Sequence, residues 1–259
     1  MKKEIREVDK KRGIVQITTV DERWYIKSTQ DEKTGNPEYQ YVPSVTWIAE
    51  HYPKGIGFYK WLANKGWDEA EALKEAAGDK GSKVHLAIEK LLAGEELKMD
   101  SKIENKETGK EEELKLEEWE CLMAFAEWYK KTSPDKILAT EIVVFNDKEG
   151  YAGTVDLIAL IGNELWIIDF KTSQSIWPAY EIQLSAYKHA LKNNDFKIKD
   201  VAKINLGILQ IGYKRNKNGY KFTEIEDKYD LFLHAKAIWA NEKSKVEPSQ
   251  KDYPIKIKI

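Results

Sequence analysis

Glu164-Leu165-Trp166-Ile167-Ile168-Asp169-Phe170-Lys171 is the stretch that decides the fold. Leu165 to Phe170 is apolar on both faces, the pattern of a central strand covered on two sides. Asp169 and Lys171, two positions apart on that strand, project from one face at its end, where the sheet opens. Asp156 lies thirteen positions upstream of Asp169, in Gly153-Thr154-Val155-Asp156-Leu157-Ile158-Ala159-Leu160, which reads as the neighbouring strand. Ile161-Gly162-Asn163 is the tight turn between the two. A second carboxylate brought beside Asp169 in this way completes a site for a hard divalent cation.

Working outward, Glu141 to Phe145 is a further strand and Asn146 to Gly150 its turn. Pro178 fits the first turn of a helix running to about Lys192. Ile204 to Tyr213 is a long strand, Asn216-Lys217-Asn218-Gly219 a hairpin turn, Tyr220 to Ile225 its partner, and Tyr229 to Asn241 a last helix. Leu114 to Lys130 is a strong helix ended by Pro134, with Leu116, Trp119, Leu122, Met123, Ala126 and Tyr129 or Lys130 on its turns. Helix, three strands, helix and two strands in this order predict an α/β fold around a mixed sheet.

The chain ahead of this core reads as strands and then helices. Residues 4 to 27 alternate loosely, and a polar segment from Gln30 to Pro37 separates them from Tyr39-Gln40-Tyr41-Val42. Pro43-Ser44-Val45-Thr46 opens a helix, a second covers Ile56 to Asn64, and residues 68 to 78 form a third that ends at Gly78. Ser82 caps a fourth, carrying His85, Leu86, Ile88, Leu91 and Leu92 and closed by Gly94. Residues 95 to 112 are charged and poorly periodic, a loop or flap. The expected organisation is a β segment over 1–42, a helical region over 43–133, the core over 134–246 and an irregular tail over 247–259.

With 259 residues, 42% hydrophobic and 33% charged, the chain has the make-up of an ordinary soluble protein, and its net charge of −2 argues neither for nor against nucleic acid. A single cysteine, Cys121, excludes an internal disulfide and a four-cysteine cluster; it reads as a buried small hydrophobe. No apolar run approaches the ~20 residues of a membrane span. Met1-Lys-Lys-Glu-Ile-Arg-Glu lacks the apolar core of a signal peptide, so a cytoplasmic setting is expected.

Phosphodiester cleavage needs an attacking water, neutralisation of the phosphoryl oxygens and help for the leaving alkoxide, all of which Mg²⁺ or Mn²⁺ on oxygen ligands supplies. Asp156 and Asp169 are the candidate ligands, with the carbonyl of Phe170 as a third. Lys171 is placed to orient or deprotonate the water and to stabilise the charged transition state. An isolated Asp-x-Lys is commonly a surface ion pair. Here it follows Gly-Thr-Val-Asp and a hydrophobic strand pair, and precedes Gln183-Leu184-Ser185-Ala186-Tyr187 on the next helix, a much rarer succession.

These motifs resemble the RecB-like branch of the PD-(D/E)XK nuclease superfamily, which includes phage, CRISPR-associated and mitochondrial exonucleases. The matching positions are His85 in Gly81-Ser-Lys-Val-His, Glu141, Asp156, Asp169 with Lys171, and Gln183 with Tyr187. The resemblance implies an αβββαβ restriction-endonuclease-like core, a divalent metal, and single-stranded or free-ended DNA as substrate. It further implies His85 as a metal ligand from the helical region, and Gln183 and Tyr187 facing the site. The helices over 43–130 then form a wall or arch over it. A phage source and host cytoplasm, with replication or recombination proteins as partners, suit this build. Cysteines for an iron–sulfur cluster are missing.

Other readings stand beside these. On residues alone, Glu141 either assists the site or is an edge charge, and Tyr180, Leu184, Tyr187 and Leu191 can equally be a core stripe. His51, His189 and His234 have no supporting pattern. Trp24, Tyr25, Tyr39, Tyr41, Trp47, Tyr52, Phe58, Tyr59, Trp61 and Trp67 crowd the N-terminal part near Lys54, Lys60 and Lys65. One or two are expected to stack on bases and the rest to pack. Rival functions are a non-catalytic DNA-binding subunit and a sequence- or structure-specific endonuclease.

Overall fold

A computed structural model describes residues 4–19, 22–30, 37–105, 109–192, 203–243 and 247–249. The separating segment after Gln30 and most of the C-terminal tail therefore lie outside the described residues. Strands β1 (Glu4–Asp9), β2 (Ile14–Thr18), β3 (Arg23–Gln30) and β4 (Pro37–Pro43) form an antiparallel meander. Helix α1 (Val45–Ala49) follows where a helix was expected to open, capped by Ser44, whose side chain accepts from Trp47 N at 3.1 Å.

Helices α2 (Ile56–Lys65) and α3 (Trp67–Leu92) come next. Two helices separated at Gly78 were expected, and one continuous 26-residue helix is observed instead. Gly78 and Gly81 both keep negative φ, so neither ends it. At Gly81 an added Cβ would stand 3.9 Å from Thr172 Oγ1, an ordinary contact, which places this part of the helix beside the end of β9. Ser82 is consequently internal and caps nothing.

The segment over 95–112, expected to be a loop, contains a small hairpin of β5 (Lys102–Asn105) and β6 (Lys110–Glu113). Ile103 anchors it in the core. Helix α4 (Leu116–Thr132) buries Glu118, Cys121, Leu122, Ala124, Phe125 and Trp128, and leaves Leu116 and Met123 exposed. The apolar stripe is thus rotated from the expected one, because the helix is seated on Glu118 as well as on its aromatics. Glu118 forms a buried pair with Lys83 of α3 at 3.0 Å and receives Lys115 N at 2.7 Å.

The core sheet runs β11-β10-β9-β8-β7, with β7 (Lys136–Asn146), β8 (Tyr151–Ile161), β9 (Glu164–Lys171), β10 (Ile204–Ile211) and β11 (Tyr220–Ile225). Neighbours are antiparallel except β9 and β10, which are joined by α5 (Pro178–Lys192) and run parallel. Helix α6 (Tyr229–Glu242) closes the chain. The order α4-β7-β8-β9-α5-β10 is the expected αβββαβ core. Strand β9 is central and covered twice: Ile167 joins a cluster with α1, α5 and α6, and Ile168 joins one with α3, α4 and the hairpin. Ile14, Tyr25 and Val42 of the meander pack against Val143, Phe145 and Ala152 at the outer strands. Among the described residues, no helix is long and apolar enough to cross a membrane.

The path of residues 50–80 follows from which face each neighbour covers. Helix α1 belongs to the α5–α6 face, whereas the second half of α3 belongs to the α4 face. The intervening chain leaves beside Gln183, whose Nε2 donates to Thr46 Oγ1 at 3.2 Å, and returns beside Thr172 at Gly81. It therefore crosses from one face to the other past the end of β9. None of the residues of α2 is buried.

Candidate metal centre

The ladder opens where the candidate residues stand. Strands β8 and β9 pair from Ile161 and Glu164 up to Leu157 and Ile168, and then part. Asp156 fills the gap: its Oδ2 accepts the Phe170 N–H at 2.7 Å, satisfying a donor left by the splayed strands. On the other side, β7 pairs with β8 on either side of Glu141 and Asp156, which face each other in register. Glu141 has φ +48°, a left-handed conformation that costs of order 1–3 kcal/mol for a side chain of this type. Its carboxylate lies on the side of the His85 ring.

His85 enters from α3. Its Nδ1 is 3.5 Å from Asp156 Oδ1 and 3.8 Å from Glu141 Oε1, while Nε2 lies 3.1 Å from the Phe170 carbonyl oxygen. Burial disfavours a charged imidazole, but the two carboxylates outweigh it and its pKa is pushed up to about 10. Burial likewise raises Asp156, yet the charge and hydrogen bond of His85 prevail and hold it below its ordinary value.

Asp169 and Lys171 form the other half. Lys171 Nζ is 2.6 Å from Asp169 Oδ2 and 4.7 Å from the centroid of the Tyr180 ring. Apart from that ammonium, buried Oδ2 has no hydrogen-bond donor among the described residues. Burial, with the nearby Asp156 charge, pushes the Asp169 carboxyl up to about 6 despite Lys171. Lys171 is itself raised: desolvation opposes its charge, and the charges of Asp169 and Asp156 more than offset this.

Gln183 and Tyr187 sit four apart on α5, with Gln183 Nε2 donating to Tyr187 Oη at 2.7 Å. Burial and the Asp169 charge raise the Tyr187 hydroxyl well above its ordinary value, so it stays neutral. The ring lies on Gly153, where an added Cβ would come within 2.4 Å of Cε1. This gives the glycine of Gly-Thr-Val-Asp its physical reason: only a residue without Cβ leaves room for Tyr187.

The candidate residues fall into groups, with Gln183 and Tyr187 paired to each other on α5. His85, Glu141 and Asp156 each offer a donor atom within 4.8 Å of the others, while Asp169 is engaged with Lys171. Donors on one cation with bonds of ~2.1 Å stand about 3 Å apart when adjacent and about 4.2 Å when opposite, so a small side-chain adjustment closes the group of His85, Glu141 and Asp156 on an ion. The underserved Oδ2 of Asp169 and the Phe170 carbonyl are further oxygens beside it. This donor set fits a divalent cation.

Several neighbours carried no clear signal. Thr46 and Thr172 are ordinary residues brought close by the fold alone. Tyr180 shares the face of Gln183 and Tyr187, and its spacing placed it in a stripe without revealing its contact with Lys171. Tyr25 Oη and Thr154 Oγ1 meet at 2.9 Å, tying the meander to β8 two residues from Asp156. Of the other histidines, His51 contacts Trp47 O and Glu242, and His189 stacks on Tyr229 and meets Asp227.

Residues 58–251 match the family model of the PD-(D/E)XK nuclease superfamily. The chain belongs to that superfamily. Its αβββαβ core is accordingly restriction-endonuclease-like; nucleases of this superfamily use divalent metals, and His85, Glu141 and Asp156 form a candidate metal site in this chain. No curated protein matches the chain. Among solved structures, one titled "Crystal structure of SSO0001" aligns at 17% identity and a TM-score of 0.26, over 48% of this chain and 58% of that one. The chain thus spans under two thirds of that protein's length, and the superposition carries no argument about the site.

Proposed function

We propose that this nuclease is a metal-dependent deoxyribonuclease that degrades single-stranded or free-ended DNA as an exonuclease, in replication, recombination or repair. The observation that carries the reading is the gathering of His85, Glu141 and Asp156 within 4.8 Å of one another beside the Asp169–Lys171 pair. A divalent cation bound by these residues supplies Lewis acidity toward the scissile phosphate and toward water.

The protein's own groups divide the remaining work. Lys171 is held as an ammonium by Asp169 and Asp156, which suits it to stabilise charge on the phosphoryl oxygens more than to act as a base. Asp169 fixes the ammonium in place. Tyr187, neutral and anchored by Gln183, would position substrate from α5. The chain over 50–80, crossing past the end of β9, would serve as the arch that gives end preference. Of the N-terminal aromatics, Trp24, Tyr25 and Trp47 are core, whereas Tyr39, Tyr59, Trp61 and Trp67 are exposed. Tyr59, Trp61 and Trp67, on the crossing with Lys54 and Lys60, are the ones suited to stack on bases.

The test is digestion of labelled linear and covalently closed circular single strands with Mn²⁺ or Mg²⁺. Linear strands should be degraded and circles spared, and Asp169→Ala or Lys171→Ala should abolish cleavage while the protein stays folded. Equal cutting of circles would make the enzyme an endonuclease. Full activity in both variants would remove the site from the reaction.

A further inference from the structure

The geometry points to a second nucleic-acid contact: the β10–β11 turn, through Lys214, Arg215 and Lys217, binds backbone phosphates of the strand beyond the scissile bond. This inference rests on the nuclease reading for its substrate. Because β9 and β10 are parallel, with Lys171 opposite Gln210, the turn leaves the sheet at the same end as the catalytic lysine. All three cations are exposed there.

What separates this turn from an ordinary polar loop is that it is built rigid against the catalytic strand. Buried Gln210 donates from Nε2 to Ser173 O at 2.9 Å, two residues after Lys171. Gln174 answers in both directions: Nε2 donates to Gly212 O at 2.8 Å, and Oε1 accepts Lys214 N at 2.9 Å. Gly212, at φ +68°, is pressed on α4 so that a Cβ would fall 2.6 Å from Cys121 Sγ. Gly219, at φ +70°, stands against Ala124 of the same helix. Tyr213 N bonds Gly219 O at 2.7 Å, and Asn216 Nδ2 bonds Tyr220 O at 2.7 Å. Two amides thus tie the backbone at the start of the turn to the chain just after Lys171, and one helix backs both ends of the turn.

The acids nearby do not cancel this charge. Among the described residues, Glu117 lies 3.9 Å from Lys214 with both groups largely exposed, and it is held more closely by Lys80 at 3.0 Å. Exposed pairs of this kind are weak and exchange readily for a phosphate.

The experiment measures binding of a fluorescein-labelled oligothymidylate, without divalent metal, as a function of salt. Each phosphate contact contributes about 0.7 to the slope of log affinity against log salt for a single strand. Lys214→Ser/Arg215→Ser/Lys217→Ser should therefore flatten the slope by about 2. With Mn²⁺, KM for the same strand should rise and kcat stay unchanged. A control, Lys192→Ser/Lys203→Ser, removes cations at the opposite end of the sheet and should leave the slope alone. An unchanged slope in the triple variant, or equal flattening per charge in the control, overturns the inference. If wild-type protein binds with the turn-dependent slope but cleaves nothing with either metal, the nuclease reading fails and the phosphate contact stands.

Discussion

Gly153→Ala places one methyl group where the Tyr187 ring lies. The new Cβ would approach Cε1 to 2.4 Å, with Cδ1 and Cζ at 3.2 and 3.3 Å, so the ring must retreat by about 1 Å to reach ordinary contact. It cannot swing away freely, because it is buried in the core and its hydroxyl is held by Gln183. Overpacking of this kind costs roughly 1–3 kcal/mol. For a chain of this size that corresponds to a fall in Tm of roughly 2–4 °C per kcal/mol. The same displacement moves the hydroxyl relative to Lys171, and misplacement by ~1 Å can cost on the order of 100-fold in rate. Thermal melts and steady-state cleavage of a linear strand read both effects. Tyr187→Leu should remove most of the added cost of Gly153→Ala, giving a clear non-additivity in the double variant. A Gly153→Ala protein that melts and cleaves like the wild type would refute the reasoning.

Two further predictions concern protons. Burial pushes the Glu22 carboxyl upward, but hydrogen bonds from Ser249, Trp24 and Lys243 outweigh it and hold the group below its ordinary 4.5. Its stabilisation is therefore present above that value and lost as the pH falls through the depressed folded pKa. Glu22→Gln should lower stability near neutrality by roughly 1–3 kcal/mol, with the gap to wild type closing on acidification; a pH-independent gap in denaturant titrations would contradict this. For His85, raised to about 10, a cation must displace a proton at neutral pH. Mn²⁺ affinity measured by calorimetry should rise about tenfold per unit between roughly pH 7 and 9. In His85→Gln that dependence should flatten; an undiminished dependence would take His85 out of the ligand set.

The core of the fold was legible because its signals are local. Strand β9 declares itself by being apolar on both faces, and the turns at Gly162 and Gly219 by their glycines. Helix α3 differs from the expected pair because Gly78 resembles a stop and Ser82 a cap, yet Gly78 keeps negative φ and the helix runs on through both. The hairpin of β5 and β6 was missed because its charged residues show no alternation and its anchor is the single Ile103. In the site, Asp156, Asp169 and Lys171 were visible in strand patterning. The closeness of Glu141 to His85 was not, since it depends on a left-handed residue inside a strand and on a helix from another part of the chain.

The most direct test is anomalous scattering from crystals soaked in Mn²⁺. The account predicts a manganese peak bonded at ~2.0–2.3 Å to His85 and to carboxylate oxygens of Glu141 and Asp156, with Asp169 alongside. A saturating soak that leaves this space without a peak, or puts the ion on other residues, would contradict it.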